Sequence, residues 1–247
     1  MNRLPRTFAR YAWIAGAIIA TSLLPGVSSA QQATADQQPE KSGTQKSDKP
    51  SSQKERTPWI SLIGNWQACE FGGEGDVNIK EGLITLEYGD PLTGVVWKGP
   101  FEGGPSKAQK TDAKSEQPDP LPRDNYEIRW QCKRDKGFDF LCAFTFPVAE
   151  QHASLVMGGW GGGITGISSI DGQDASDNNT TMFKNYDDKR WYSARVRVET
   201  EKITVWIDGI EMFDHPRKNH KFDIRFEMDP CTPMGIANFE CESQIRK

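Results

Sequence analysis

Basic charge, helical periodicity and familiar catalytic signatures are what this 247-residue sequence has least of. Residues 58–247 carry 22 basic and 30 acidic side chains, a net of −8, so binding to nucleic acid through backbone phosphates is excluded as a first reading. No stretch sustains a 3.6-residue apolar period, which excludes a helical bundle or coiled coil. No C-x-x-C or His-rich spacing occurs, which argues against a structural zinc site. No glycine run leads into Gly-Lys-Ser/Thr, and there is no G-x-S-x-G elbow; a phosphate loop and a serine nucleophile of that kind are both absent. The E-x-D-x-x-E strand of sandwich-fold glucanases is missing too.

Long apolar runs are equally scarce, with one exception at the start. Arg3, Arg6 and Arg10 precede an apolar run from Ala12 to Leu24, then Pro25-Gly26 and Ser28-Ser29-Ala30. That order describes a secretory signal peptide over 1–30, cleaved after Ala30. The run's thirteen residues reach only about 20 Å as a helix, short of the roughly 30 Å hydrocarbon core, so no stable membrane span is expected after cleavage. A periplasmic or secreted protein follows. Residues 31–57 contain no aromatic residue and no Val, Ile or Leu, and read as a disordered linker. A second polar tract at about 103–120 reads as a disordered insertion inside a single domain over 58–247.

That domain is rich in aromatics and turn formers. The chain holds 12 Phe and 8 Trp with 23 Gly and 15 Pro, the composition of short strands separated by turns. Tyr126, Ile128, Trp130 and Cys132 alternate with polar residues, and Phe138, Phe140, Cys142, Phe144 and Phe146 do the same. Joined by Asp135-Lys136-Gly137, they form an expected hairpin pairing 134 with 138, 132 with 140 and 130 with 142. Lys202–Ile207 and Ile210–Phe213 flank Asp208-Gly209, a strong hairpin signal. Further strands are expected near 66–71, 82–88, 94–98, 153–158, 190–200, 221–228 and 235–245. The fold class is all-β, a two-sheet antiparallel sandwich or jelly roll. Five cysteines leave at least one thiol unpaired within the chain. Cys142 is expected as a small buried hydrophobe, while Cys69 and Cys241, in the first and last strands, are candidates for a bridge.

Chemistry concentrates after Met157. Trp160 stands among Gly158, Gly159, Gly161, Gly162 and Gly163, either as a platform for stacking a sugar ring or as a core Trp beside a tight crossover. Asp171, Asp174, Asp177 and Asn178 follow closely. Such oxygen donors suit Ca²⁺ or a catalytic divalent ion, although Asx-turns and solvated loop carboxylates produce the same pattern. They do not follow the D-x-[DN]-x-[DN]-G loop. Asn178-Asn179-Thr180 and Asn179-Thr180-Thr181 match the N-glycosylation acceptor. Glu70, Glu87 and Asp139 are loose candidates for paired-carboxylate chemistry. His152, His215 and His220 are expected as exposed turn or strand-end residues.

The run Gly64-Asn-Trp66, Phe71-Gly-Gly, Gly82-Leu-Ile-Thr-Leu-Glu87 and Leu92-Thr93-Gly94 resembles a group of exported bacterial proteins common in planctomycetes. Thr145-Phe146-Pro147, Gly158 through Gly163, Ser169 through Ser176, Trp191-Tyr192, Trp206-Ile-Asp208 and Pro233 through Ala237 continue the resemblance. The domain is identified on these motifs as a member of the 3-keto-disaccharide hydrolase family. The resemblance implies a concanavalin A-like sandwich and cleavage of glycosides oxidised at C3, by hydrolysis or β-elimination. It implies a carbohydrate partner, with Asp171, Asp174, Glu87 and Asp139 as catalytic candidates. Asp171 and Asp174 are also the metal-ligand candidates, and Trp160 and Asn178 the substrate-binding ones. The Glu-x-Gln-x-x-Asp strand and His-Gly of better-known relatives have no counterpart; Ile236-Ala-Asn-Phe239 stands where the latter falls. A non-catalytic carbohydrate-binding or structural sandwich is the alternative.

Overall fold

A computed structural model describes residues 59–101 and 120–246. The signal peptide, the linker and nearly all of the insertion expected from sequence lie outside the described residues. Among the described residues the strands are β1 (Trp66–Ala68), β2 (Val77–Lys80), β3 (Leu83–Leu86), β4 (Leu92–Trp97), β5 (Tyr126–Gly137), β6 (Cys142–Val148) and β7 (Gln151–Gly158). They continue with β8 (Ile164–Ser168), β9 (Met182–Phe183), β10 (Tyr192–Val198), β11 (Lys202–Ile207), β12 (Ile210–Pro216), β13 (Gly235–Phe239) and β14 (Cys241–Arg246). Two antiparallel sheets result, ordered β1-β4-β13-β6-β7-β8-β9 and β12-β11-β10-β5-β14-β3-β2. The jelly-roll sandwich read from the sequence is the fold.

The second sheet follows the alternation rule. Tyr192, Ala194, Val196 and Val198 point inward with Ile203, Val205 and Ile207, while Ser193, Arg195 and Arg197 face out. Outside, Glu127 receives Arg129 at 2.7 Å and Arg197 at 2.7 Å, and Arg195 lies over the Trp206 ring. This is the half-wet sheet that period-2 sequence describes. Asp208 and Gly209 both take positive φ, 53° and 78°, and pair Ile207 with Ile210. The Asp-Gly hairpin stands where the sequence places it.

The central strands of the first sheet are buried on both faces. Every residue of β4 and β6 is inaccessible to solvent. Val95, Phe144, Phe146, Leu155 and Ile167 fill the inter-sheet core. Leu92, Val96, Ala143, Val156 and Ala237 point the other way, against Met228 and Cys231. The cover is a strap over residues 219–234, including a 3₁₀ turn at Phe226–Cys231. Each large apolar side chain so buried contributes about 1.5–3 kcal/mol.

Several expectations are corrected. β5 and β6 form no hairpin: β5 pairs with β10 and β14, β6 with β7 and β13. The chain changes sheets between them, and Trp130 meets Phe144 across the core, ring centroids 4.5 Å apart and planes tilted by 43°. Alternation fixes which side a residue faces but not which sheet holds it. Residues 221–228 form strap rather than strand, and 235–245 is two strands in different sheets, broken at Glu240 with φ 45°. Cys69 does not approach Cys241; it faces Cys231, while the Cys241 thiol donates to the Phe140 carbonyl at 3.2 Å. His215 is not exposed but inward on β12 at 2 % exposure, in step with Phe213.

Gly235 lies directly beneath the strap, and a Cβ there would sit 2.7 Å from both the Cys231 Cβ and the Val95 carbonyl oxygen. Gly235→Ala is therefore expected to cost about 1–3 kcal/mol by overpacking. Gly209→Ala, in open space but at φ 78°, should cost about 1 kcal/mol from backbone strain alone. Urea unfolding of the two variants checks the order; equal losses would mean that the strap yields freely.

Candidate functional site

The structure separates the predicted site residues to opposite ends of the first sheet. β7 and β8 run antiparallel, Met157 opposite Thr165 and Ser154 opposite Ser168. Trp160 lies in the turn joining them, and Asp171 lies beyond the far end of β8. Residues 151 and 158 are separated by roughly 23 Å of strand.

At the first end, Trp160 takes φ 52° and ψ 53°, a left-handed conformation that costs a bulky residue about 1–3 kcal/mol. Asp139 holds it there. Its Oδ2 accepts from the Gly161 N–H at 2.9 Å and its Oδ1 from the Phe140 N–H at 2.7 Å. A Cβ on Gly162 would lie 2.6 Å from the Phe138 carbonyl, so only glycine lets the turn settle onto that segment. Beneath, the buried Arg134 donates to Asp188 at 2.6 Å and to the Asp139 and Tyr186 carbonyls, each at 2.9 Å. Trp160 is neither a core Trp nor free-standing: at 39 % exposure it is presented at the surface.

At the second end, Asp171 reaches the strap. Its Oδ1 accepts from the Lys221 N–H and its Oδ2 lies against His220 Nδ1, both at 2.7 Å. The Lys221 N–H first, and His220 second, hold the Asp171 carboxyl below the usual carboxylate range. The His220 ring lies against His215, centroids 4.6 Å apart, and Phe222 meets His215 edge-on at 5.9 Å. The buried His215 Nε2 has no hydrogen-bond partner among the described residues. Burial, then the neighbouring His220, lowers the His215 pKa. His220 lines a shallow, open cleft of about 560 Å³ that also includes Glu150, Gln151, Glu201, Lys218 and Phe222.

The remaining candidates fall elsewhere. Asp174 accepts from Ser168 Oγ at 3.0 Å and from Arg225 at 2.7 Å, and Arg225 also reaches Glu227. Asn178 donates to the Ile167, Gln173 and Asp174 carbonyls and accepts from Thr180; its amide organises the loop. Glu87 sits on another face, beside a shallow hollow with Glu74, Asp76 and Tyr88. Both Asp171 and Asp174 already face cationic or N–H partners, and among the described residues no three His, Cys, Asp or Glu side chains gather as metal ligands. This donor set does not fit a divalent ion. His220 was missed as a partner because 49 residues separate it from Asp171, and no local motif announces the pair.

The domain model of the 3-keto-alpha-glucoside-1,2-lyase-like family matches residues 49–234. The chain belongs to that family. It is thereby a β-sandwich of a carbohydrate-active family. No curated protein matches the sequence. Among solved structures it is similar to the carbohydrate-binding module CBM66 of Bacillus subtilis, at 8 % identity and TM-score 0.44 over 77 % of this chain and 97 % of that one. It is also similar to domain 4 of the Geobacillus stearothermophilus arabinanase AbnA, solved with arabinotriose (15 %, 0.40, 75 % and 83 %). A family 16 glycosyl hydrolase of Mycobacterium smegmatis gives 10 %, 0.37, 75 % and 91 %. These likenesses concern the fold. No helix among the described residues of this family member is long and apolar enough to cross a membrane.

The buried His215 sets a pH dependence. Its folded pKa lies below the unfolded value of about 6.5, so the unfolded chain takes up the proton first. Stability is then complete above about pH 6.5 and falls as pH drops toward the folded pKa. His152, lowered by burial and by Arg123, acts in the same direction. Melting temperature measured from pH 8 to 5 should decline below 6.5, and His215→Phe should flatten that decline; an unchanged slope would remove His215 as its source.

Proposed function

We propose that this protein is an exported enzyme that cleaves 3-keto-glycosides, with His220 as the base. The observation that carries the reading is the 2.7 Å contact between Asp171 Oδ2 and His220 Nδ1 at the mouth of the cleft. A carboxylate on Nδ1 fixes the tautomer that leaves Nε2 as the proton acceptor. Asp171 is thus a positioning residue.

A ketone at C3 acidifies the C2 proton. Nε2 takes that proton, the C2–H electron pair becomes an enolate, and the enolate expels the substituent at C1 as the C1–O bond breaks. The departing oxygen takes back the proton that His220 Nε2 holds, and the sugar is left as an unsaturated 3-ketone open to water addition. Negative charge grows on the C3 oxygen during the first step. Lys218 in the same cleft supplies a cation toward it. Arg217 lines the cleft as well but is spent on Asp124 at 2.5 Å. No step is assigned to a metal.

Trp160 lies at the other end of β7 and so belongs to a more distant sugar residue. Its strained, half-open presentation also favours the second reading, a carbohydrate-binding sandwich without catalysis.

Mass spectrometry of products from a panel of 3-keto-disaccharides separates the two. His220→Gln should lower kcat by about 10²–10⁴ with KM changed less than about threefold. Asp171→Asn should lower it by about 10–100-fold. Trp160→Ala should spare the disaccharide and weaken longer glycans about tenfold. Full turnover in His220→Gln would sink the assignment of the base. Absence of turnover on every substrate, with glycan binding lost in Trp160→Ala, would leave the binding module.

A further inference from the structure

Cys69 and Cys231 meet where the strap ends. Their sulfurs lie 3.7 Å apart, at 3 % and 0 % exposure. Each is anchored by its backbone. The Cys69 N–H donates to the Gly94 carbonyl at 2.9 Å on β4, and Cys231 closes the 3₁₀ turn directly over Gly235. The Cys69 thiol also points at the Pro230 carbonyl, 3.3 Å away, so it faces the strap. Two buried sulfurs already 3.7 Å apart face each other directly, and a disulfide would close that gap to about 2.05 Å. Cys132, Cys142 and Cys241 lie in the sheets themselves, and Cys241 is engaged with Phe140.

We infer that Cys69 and Cys231 form a disulfide in the oxidised protein, stapling the strap to the segment that follows β1. Two S–H bonds break and one S–S bond forms. The two electrons and two protons pass to a low-molecular-weight or protein disulfide, which is reduced to two thiols. The Cys69 thiol alongside, and burial, hold the Cys231 thiol well above the ordinary thiol range. Thiolate is therefore scarce in the folded state, and the bond forms while the strap is still closing rather than afterwards. The staple closes a loop of 162 residues, so most of its effect falls on the unfolded chain. It also fastens the far end of the segment that carries His220 and Arg225, and it stands whether or not the protein turns over a sugar.

The full chain, unfolded in reductant and refolded with reduced and oxidised glutathione, tests this directly. After denaturation, three thiols instead of five should alkylate. The intact mass should fall by two hydrogens, and the proteolytic map should link the Cys69 and Cys231 peptides. Dithiothreitol should lower the melting temperature by about 5–10 °C. Cys69→Ser should keep four alkylatable thiols and lose the dithiothreitol shift, whereas Cys241→Ser should keep both the bridge and the shift. Five reactive thiols in the refolded wild type, a link between any other pair, or the same two-hydrogen loss in Cys69→Ser would overturn the inference. The wild-type mass and peptide map decide it even if one variant does not fold.

Discussion

A sandwich sheet ordinarily buries one face and wets the other; here β4, β6, β7 and β13 have no wet face, because the 219–234 strap lies across the outer one. Small residues allow the close approaches on and around that sheet, though only Gly235 among them meets the strap itself. Gly94 sits against the Ile236 carbonyl and Ala237, Gly166 against Ala175 and Thr180, and Gly235 against Cys231. Thr145 and Ser154, polar and wholly buried on the same face, satisfy each other at 2.8 Å. The strap is held by side chains as much as by packing. Asp171 takes its start through His220 and Lys221, Asp174 its middle through Arg225, and Cys69 its end.

On the proposed reading, the same contacts assemble the site. Asp171 fastens the strap and, by doing so, places a histidine with one ring nitrogen fixed and the other free beside a cleft. In that proposal, structural and chemical roles coincide in one carboxylate. At the opposite end Asp139 does comparable work, keeping Trp160 in a conformation that its own backbone disfavours. Backbone strain at an exposed aromatic is the kind of feature that persists only when the surroundings impose it. Arg134, buried at 7 % exposure yet bonded to a carboxylate and two carbonyls, supplies the floor of that end. Removing a partner from such a group would strand a charge in the interior.

Strands with one wet face were legible. Tyr126 to Cys132, Tyr192 to Val198 and the Asp208-Gly209 hairpin all appear as the period-2 pattern requires. The hairpin drawn between 130–134 and 138–142 failed for a definite reason: both strands present apolar residues to the same core, and that pattern is identical whether they pair edge to edge or face each other. Residues 221–228 alternate like a strand, but Ile224 and Met228 pack onto the outside of a finished sheet, Phe222 joins the main core and Phe226 stays exposed. Among the site residues, the glycines around Trp160 and the aspartates after it marked two chemically unusual loops. Their sequence proximity hid that a whole strand lies between them.

By itself the sequence determined the all-β class, the wet sheet, the tight hairpin, the acidic surface and the family, because each of these rests on local alternation, turn chemistry, composition or motif. Tertiary structure alone decided which sheet each strand joined, that Cys69 faces Cys231, that His215 is buried, and that Asp171 meets His220. All four depend on contacts between residues far apart in the chain. Such contacts are selected by how faces pack, and nothing in the neighbouring residues of either partner encodes them.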